Sequence, residues 1–201
     1  MAKMLIVVDA QKDFVKGGCL AYGYPQEDIT QKVIDYARQW VGKEVTNEDG
    51  TKFYQRDWDS NNILIVTKDT HGPNYASTME GQKLPVPHCI KGTPGWELVD
   101  DASDEKGLGY IADTQIFKPT FGTFQIADFI KEFEEDQCEE VDEIQICGFD
   151  TSICVLANAV ILRAAFPNKK IVLLEKLCGD VNQDCHNAAV AVLRNQQIDI
   201  A

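Results

Sequence analysis

Basic residues are in short supply in this 201-residue chain, where 19 Lys and Arg stand against 32 Asp and Glu for a formal net charge of -13. A surface of that sign is repelled by phosphate backbones and anionic headgroups, so neither nucleic acid nor a membrane is an expected partner. No apolar run is long enough to cross a bilayer, and the first strand begins so near residue 1 that no signal peptide is expected. No internal repeat is present. The seven cysteines form no Cys-x-x-Cys pair and are odd in number, which fits a reducing compartment better than a disulfide framework. A cytoplasmic, soluble protein is the expectation. The densest acidic stretch, 132–140, continues the pattern of Ile126, Phe129, Ile130 and Phe133 and reads as a solvated helix end.

What the chain does have is enough apolar material, 44% of its residues, for one substantial core in a single domain spanning 1–201. Its apolar runs are continuous rather than alternating, as when helices cover both faces of a sheet, and helical stretches separate them. The pattern predicts an α/β fold: a doubly wound, mostly parallel sheet of five or six strands flanked by helices. A helix is expected from about Asp28 to Trp40, with Asp28 or Thr30 as cap. Residues 43–61 interrupt the rhythm. Asn47-Glu48-Asp49-Gly50 has turn chemistry between 44–46 and 51–54, which predicts a small hairpin insertion, either a contact between copies or a lid. A long loop from Asp69 to about Trp96, with Pro73, Pro85, Pro87 and Pro94, is of a kind more often functional than idle. Further elements are expected as strands near 114–117, 143–147, 170–174 and 198–200, and helices near 125–133 and 182–193.

Chemistry-bearing residues gather at strand ends. Asp9 closes the run Met4-Leu5-Ile6-Val7-Val8, Asp69 and His71 follow Ile63-Leu64-Ile65-Val66-Thr67, and Lys118 follows Ile116-Phe117. Cys154 sits where Glu143-Ile144-Gln145-Ile146-Cys147 gives way to a helix. That helix is expected to be largely buried, on a stripe of Ile153, Leu156 and Val160 with Val155, Ala159, Leu162 and Phe166 alongside. In a parallel sheet these ends share one edge, where ligands bind in open α/β folds. A lone cysteine is most often a small buried hydrophobe, and a lone strand-end Asp or Lys a capping or surface group. A thiol at a helix N-terminus, by contrast, is favoured as thiolate, so Cys154 is expected to alkylate faster than the other six cysteines near neutral pH. His186, on the last helix, reads as peripheral.

Five motifs in one order resemble the isochorismatase-like cysteine hydrolases, whose best-known amidase branch is the nicotinamidases. They are Asp9-Ala10-Gln11-Lys12-Asp13-Phe14, Asp69-Thr70-His71, Pro87-His88-Cys89, Phe117-Lys118, and Gly148 through Val155. The resemblance runs through nearly the whole chain and implies a catalytic triad of Asp9, Lys118 and Cys154. It also implies a cis peptide between Phe149 and Asp150, whose backbone N–H would join that of Cys154 in an oxyanion hole. Phe14 would wall a planar substrate. Asp69, His71 and His88, with Glu80 as a fourth candidate, supply the oxygen and nitrogen that divalent Zn, Fe or Mn accept. No organic cofactor is implied, and a homo-oligomer is.

Two departures from the family pattern stand out. The second aromatic wall usually precedes the second histidine, but Lys83-Leu84-Pro85-Val86-Pro87 has none, leaving Trp96 or Phe121 to compensate from elsewhere. Asp150 stands where a small residue is usual, and is expected to turn outward or to bind something specific. The leading expectation is a cysteine amidohydrolase that cleaves a small carboxamide through a thioester, nicotinamide first, with another amide or ureido compound as alternative. Two rivals from other classes remain: a non-catalytic binding module that keeps the fold, and a redox protein in which Cys147 or Cys178 approaches Cys154.

Overall fold

In the computed structural model, which describes residues 1–50, 52–57, 60–100 and 107–201, the apolar runs 4–8, 63–66 and 171–174 become strands of one sheet. In chain order the elements are β1 (Ala2–Val8), α1 (Thr30–Val41), β2 (Gly42–Thr46), β3 (Lys52–Arg56), β4 (Asn62–Asp69) and α2 (Met79–Lys83). They continue as α3 (Leu108–Ile111), β5 (Thr114–Lys118), α4 (Gln125–Gln137), β6 (Val141–Phe149), α5 (Leu156–Ala165), β7 (Lys170–Gly179), α6 (Gln183–Asn195) and β8 (Asp199–Ile200). The β-branched and Leu content of β1, β4, β6 and β7 suits positions covered on both faces, and Met4 through Val8 have no exposed surface. Cutting such a side chain back to alanine, at Leu5 for instance, costs about 2–5 kcal/mol.

The main sheet has six strands in the order β5-β4-β1-β6-β7-β8, and every pairing in it is parallel. The chain winds outward from β1 through β4 to β5, then returns to the other side of β1 and winds through β6, β7 and β8. The direction of winding therefore reverses between β1 and β6, and the crevice beyond the carboxyl ends of those strands is the expected ligand site of such a sheet. Gly148 makes the close approach there possible. Its φ is +121°, and a Cβ would stand 2.1 Å from the carbonyl oxygen of Val8.

β2 and β3 pair antiparallel as a separate two-stranded hairpin; Thr51, Trp58 and Asp59 lie outside the described residues. Asp28 Oδ1 accepts from the Thr30 N–H and so supplies the start of α1 with a side-chain acceptor. The buried stripe on α5 differs from the expected one. Val155, Ala159, Leu162 and Phe166 are buried, but Val160 is exposed and Ile153 and Leu156 are half-buried. Only one side of α5 meets the sheet, and Ile153 faces a cavity instead. The long loop after β4 holds α2 and two short 3-10 turns, Tyr75–Ser77 and Pro94–Trp96.

Candidate active site

Four strand ends meet at the crevice. β1 ends at Val8, so Asp9 is the first residue past it. Its φ of 49° is a left-handed value that aspartate tolerates better than most side chains, and its N–H reaches back to the Thr67 carbonyl at 3.2 Å. Thr67 Oγ1 donates to Asp9 Oδ1 at 2.7 Å. Asp69 and Lys118 close β4 and β5 and are register partners. Gln11 locks the loop after β1 to β4: its Oε1 accepts from the Asp69 N–H at 2.7 Å, and its Nε2 donates to the carbonyls of Asp69 and Trp96, both at 2.9 Å.

Cys154 lies in a single π-helical turn, Thr151–Val155, that precedes α5. Side chains pin this turn from several sides. Thr151 Oγ1 donates to Gly179 O at 3.0 Å and meets His186 Nδ1, also at 3.0 Å. The Ser152 N–H and hydroxyl both donate to Asp180, at 2.7 and 2.9 Å. Asn158, wholly buried on α5, donates to the Cys154 carbonyl at 2.8 Å and accepts from the Thr123 N–H at 3.0 Å. The peptide between Phe149 and Asp150 is cis.

Lys118 Nζ stands 2.5 Å from Asp9 Oδ2 and 3.5 Å from Cys154 Sγ, and the Asp9 and Lys118 side chains have no exposed surface. Burial alone would lower the proton affinity of Lys118, but Asp9, Cys154 and Asp69 around it reverse the sign and keep it an ammonium. Burial pushes Asp9 above its ordinary range while Lys118 pulls it back. Burial also pushes the Cys154 thiol well up, helped by Asp9 and opposed by Lys118. This reverses the expectation of a thiolate favoured by the helix terminus, because dehydration of the sulfur outweighs the backbone dipole. The shift favours the thiol form, with the Lys118 ammonium at 3.5 Å from the sulfur.

A second cluster adjoins the first. His71 Nε2 lies 3.0 Å from Asp69 Oδ2 and 3.7 Å from Glu80 Oε1; His88 Nε2 lies 3.3 and 3.4 Å from the same two atoms. His71 Nε2 is buried and close to Asp69 without hydrogen-bond alignment. His88 Nδ1 stands 2.9 Å from the Val86 carbonyl, to which it can only donate, and this leaves Nε2 facing the cluster. Asp69, His71 and His88 offer ligand atoms all within 4.8 Å of one another. The donor set of two imidazoles and a carboxylate, with Glu80 beside them, fits a divalent transition metal. Burial opposes ionisation of Asp69, yet the contacts from both histidines and the field of Lys118 win and hold its carboxyl below the usual range.

Both clusters face a cavity of about 370 Å³, whose lining includes Cys154, Asp69, Glu80, His88, Phe14 and Asp150. Phe14 is buried and meets the His88 ring edge-on at 5.6 Å. Phe121 lines the cavity, whereas Trp96 does not; its ring lies under Lys68 and its Nε1 donates to Thr70 Oγ1. Asp150 is buried at the cavity rather than turned outward to solvent. His186, expected to be peripheral, is buried behind Thr151. Gln11, Thr67, Asn158 and Asp180 hold the site without belonging to any of the motifs' expected catalytic or metal positions. The available signal was a polar residue inside an otherwise apolar element, as with Thr67 after Ile63 to Val66 and Asn158 within α5.

An Isochorismatase domain model matches residues 3–201 of this chain. The chain belongs to that family and is one of its hydrolases. It is 30% identical over 191 residues to the nicotinamidase of Saccharomyces cerevisiae, covering 86% of each chain. Among solved structures, nicotinamidase/pyrazinamidase from Bacillus subtilis superposes with a TM-score of 0.74 at 23% identity over the whole of both chains. A pyrazinamidase from Pyrococcus horikoshii, solved in complex with zinc, gives 0.67 at 21% identity, with 100% of this chain and 99% of that chain covered. At those identities the two structures speak for the fold.

Proposed function

We propose that the chain is a cysteine amidohydrolase that cleaves a small carboxamide through a thioester on Cys154. The observation that carries the reading is the contact of one ammonium with both a carboxylate and a thiol, Lys118 at 2.5 Å from Asp9 and 3.5 Å from Cys154, beside a cavity of substrate size. In this reading Asp9 takes the thiol proton as the sulfur attacks the carbonyl, and Lys118 offsets the negative charge that appears on sulfur. The backbone N–H groups of Asp150 and Cys154 receive the oxyanion. Asp9 then returns the proton to the leaving nitrogen, ammonia departs, and water activated by Asp9 hydrolyses the thioester. The Cys154 carbonyl is already engaged by Asn158, which holds the turn during this sequence.

Asp69, His71, His88 and Glu80 would hold a divalent Zn, Fe or Mn ion. Bound there, such an ion supplies Lewis acidity and a fixed positive charge at one end of the cavity. Nicotinamide is the first substrate of this reading, given the activity for which the yeast relative is named. Phe14 and Phe121 supply apolar ring surface for it. A second reading, another small amide or ureido compound, is favoured by the absence of an aromatic residue in 83–87 and by Asp150 in the cavity.

The reading extends to a homo-oligomer in a reducing compartment: Met79, Phe121 and Phe124 are exposed apolar groups, and no cysteine is in a disulfide. Among the described residues no helix is long and apolar enough to cross a membrane. An ammonia-release screen over nicotinamide, pyrazinamide and aliphatic amides, with and without chelator, tests the function. Release by the wild type that disappears in Cys154→Ala and Asp9→Asn is expected. Turnover retained by Cys154→Ala would remove the thioester.

A further inference from the structure

Asp150 is the carboxylate at the cavity for which the fold provides no match. Asp9 has Lys118 and Thr67, Asp69 has His71 and His88, and Asp180 behind the nucleophile turn has Ser152. Asp150 is only 8% exposed, yet its Oδ1 has no hydrogen-bond partner among the described residues. A buried polar group left in that state destabilises the fold, so its place in the cavity wall asks for a donor from outside.

The surroundings narrow the kind of donor. Much of the cavity lining is apolar, through Phe14, Leu20, Phe121, Ile153 and Val181, and none of these side chains can donate to the carboxylate. The cationic group whose field reaches Asp150 is His88, and its ring nitrogens are already engaged by Asp69, Glu80 and the Val86 carbonyl. Burial and the nearby Asp180 and Asp9 push the Asp150 carboxyl up to about 8, and a cation or N–H facing it would favour the ionised form. In the ionised form that such a donor favours, the carboxylate can only accept, so a ring that offers only acceptors leaves it unpaired, and a site with an unpaired buried polar group discriminates strongly.

We propose that Asp150 is a specificity residue that accepts a hydrogen bond from an N–H, neutral or cationic, on the body of the substrate. The preferred substrate class is then a small carboxamide bearing an amine or a ring N–H. This rests on the amidohydrolase reading and sharpens it.

Matched pairs of amides test the proposal. Pyrrole-2-carboxamide and furan-2-carboxamide differ by an N–H against an acceptor oxygen. Piperidine-3-carboxamide and cyclohexanecarboxamide differ by a cationic amine against a methylene. The wild type is expected to favour the nitrogen-bearing member of each pair in kcat/KM by roughly ten- to a hundredfold. Asp150→Ala should bring both ratios close to unity, and Asp150→Asn should keep part of the pyrrole preference while losing that for the cation. Equal rates in the wild type, a preference for furan, or ratios unchanged in Asp150→Ala would overturn the proposal. Calorimetric binding of the same pairs to Cys154→Ala reads recognition without turnover. A binding preference there with no ammonia released by the wild type would sink the amidohydrolase reading and leave the donor pocket standing. No preference in binding or turnover sinks the pocket.

Discussion

Replacing Lys118 with methionine removes a charge from the centre of the site while keeping most of the volume, and its energetic consequence follows from the geometry. At 2.5 Å, with neither side chain exposed, the Lys118 and Asp9 pair attract by roughly 6–7 kcal/mol at an effective dielectric of about 20. Desolvation of both ions offsets much of that, so the net value of the pair is small. The cost of breaking it is not. A lone Asp9 carboxylate would remain buried, and such losses run to about 3–5 kcal/mol. The sign of the pH dependence follows from the shifts. Lys118 binds its proton more tightly in the folded state than its ordinary value of 10.5, so its contribution is complete below that value and fades only as pH climbs through the folded one. Below 10.5 Lys118 therefore adds no slope of its own, and the pH dependence of the pair comes from Asp9, which costs the wild type stability as pH rises from 3.8 through its raised folded value. In Lys118→Met, Asp9 is pushed further up. The variant is least penalised when Asp9 is protonated, and it loses stability as pH rises from about 4 through the new Asp9 value. Urea denaturation of wild type, Lys118→Met, Asp9→Asn and the double variant, followed by circular dichroism at several pH values, measures this. The double variant should be less destabilised than the two singles added, by at least about 2 kcal/mol. A loss under about 1 kcal/mol that does not vary with pH, or strictly additive losses, would refute the reasoning.

Three further outcomes are expected. Removing the imidazole in His88→Ala should lower the affinity for added zinc by at least about tenfold, read by competition with a chromogenic chelator; unchanged affinity would place the metal elsewhere. In the folded protein, iodoacetamide should label exposed Cys138 before Cys154, because the latter is 5% exposed and its thiol is pushed up by burial; peptide mapping that finds Cys154 labelled first would contradict this account of its environment. Asp150→Asn should stabilise the fold by an amount that grows from about pH 4 to about pH 8 and then levels off, since a carboxyl raised from 3.8 to about 8 costs the wild type more as it would ionise. A thermal midpoint difference that is constant over that range would show Asp150 to be well solvated.

The strand ends were readable from the chain because apolar continuity marks the strands and a single charged residue marks where each one stops. Asp9, Asp69 and Lys118 announced themselves in that way, and parallel topology brought them to one edge. What holds them was much less visible. Gln11 clamps the backbone of Asp69, and Asp180 clamps Ser152 across 28 residues of sequence, contacts set by tertiary packing rather than by any local period. At α5 spacing and packing part company, since Ile153, Leu156 and Val160 obey helical spacing but the sheet covers the neighbouring stripe. The thiol illustrates a competition the sequence could not weigh. The helix terminus is local and legible, whereas burial of the sulfur depends on the packed surroundings and pushes the thiol up.

The central claim is that the sulfur of Cys154 carries the acyl group during turnover. Acid quenching of the enzyme in the steady state with a slowly hydrolysed amide, followed by mass spectrometry of its peptides, tests it most directly. The account predicts a single acyl adduct, removable by hydroxylamine, on the peptide that contains Cys154 and absent from Asp9→Asn. An adduct on any other residue, or ammonia release at the wild-type rate from Cys154→Ala, would contradict it.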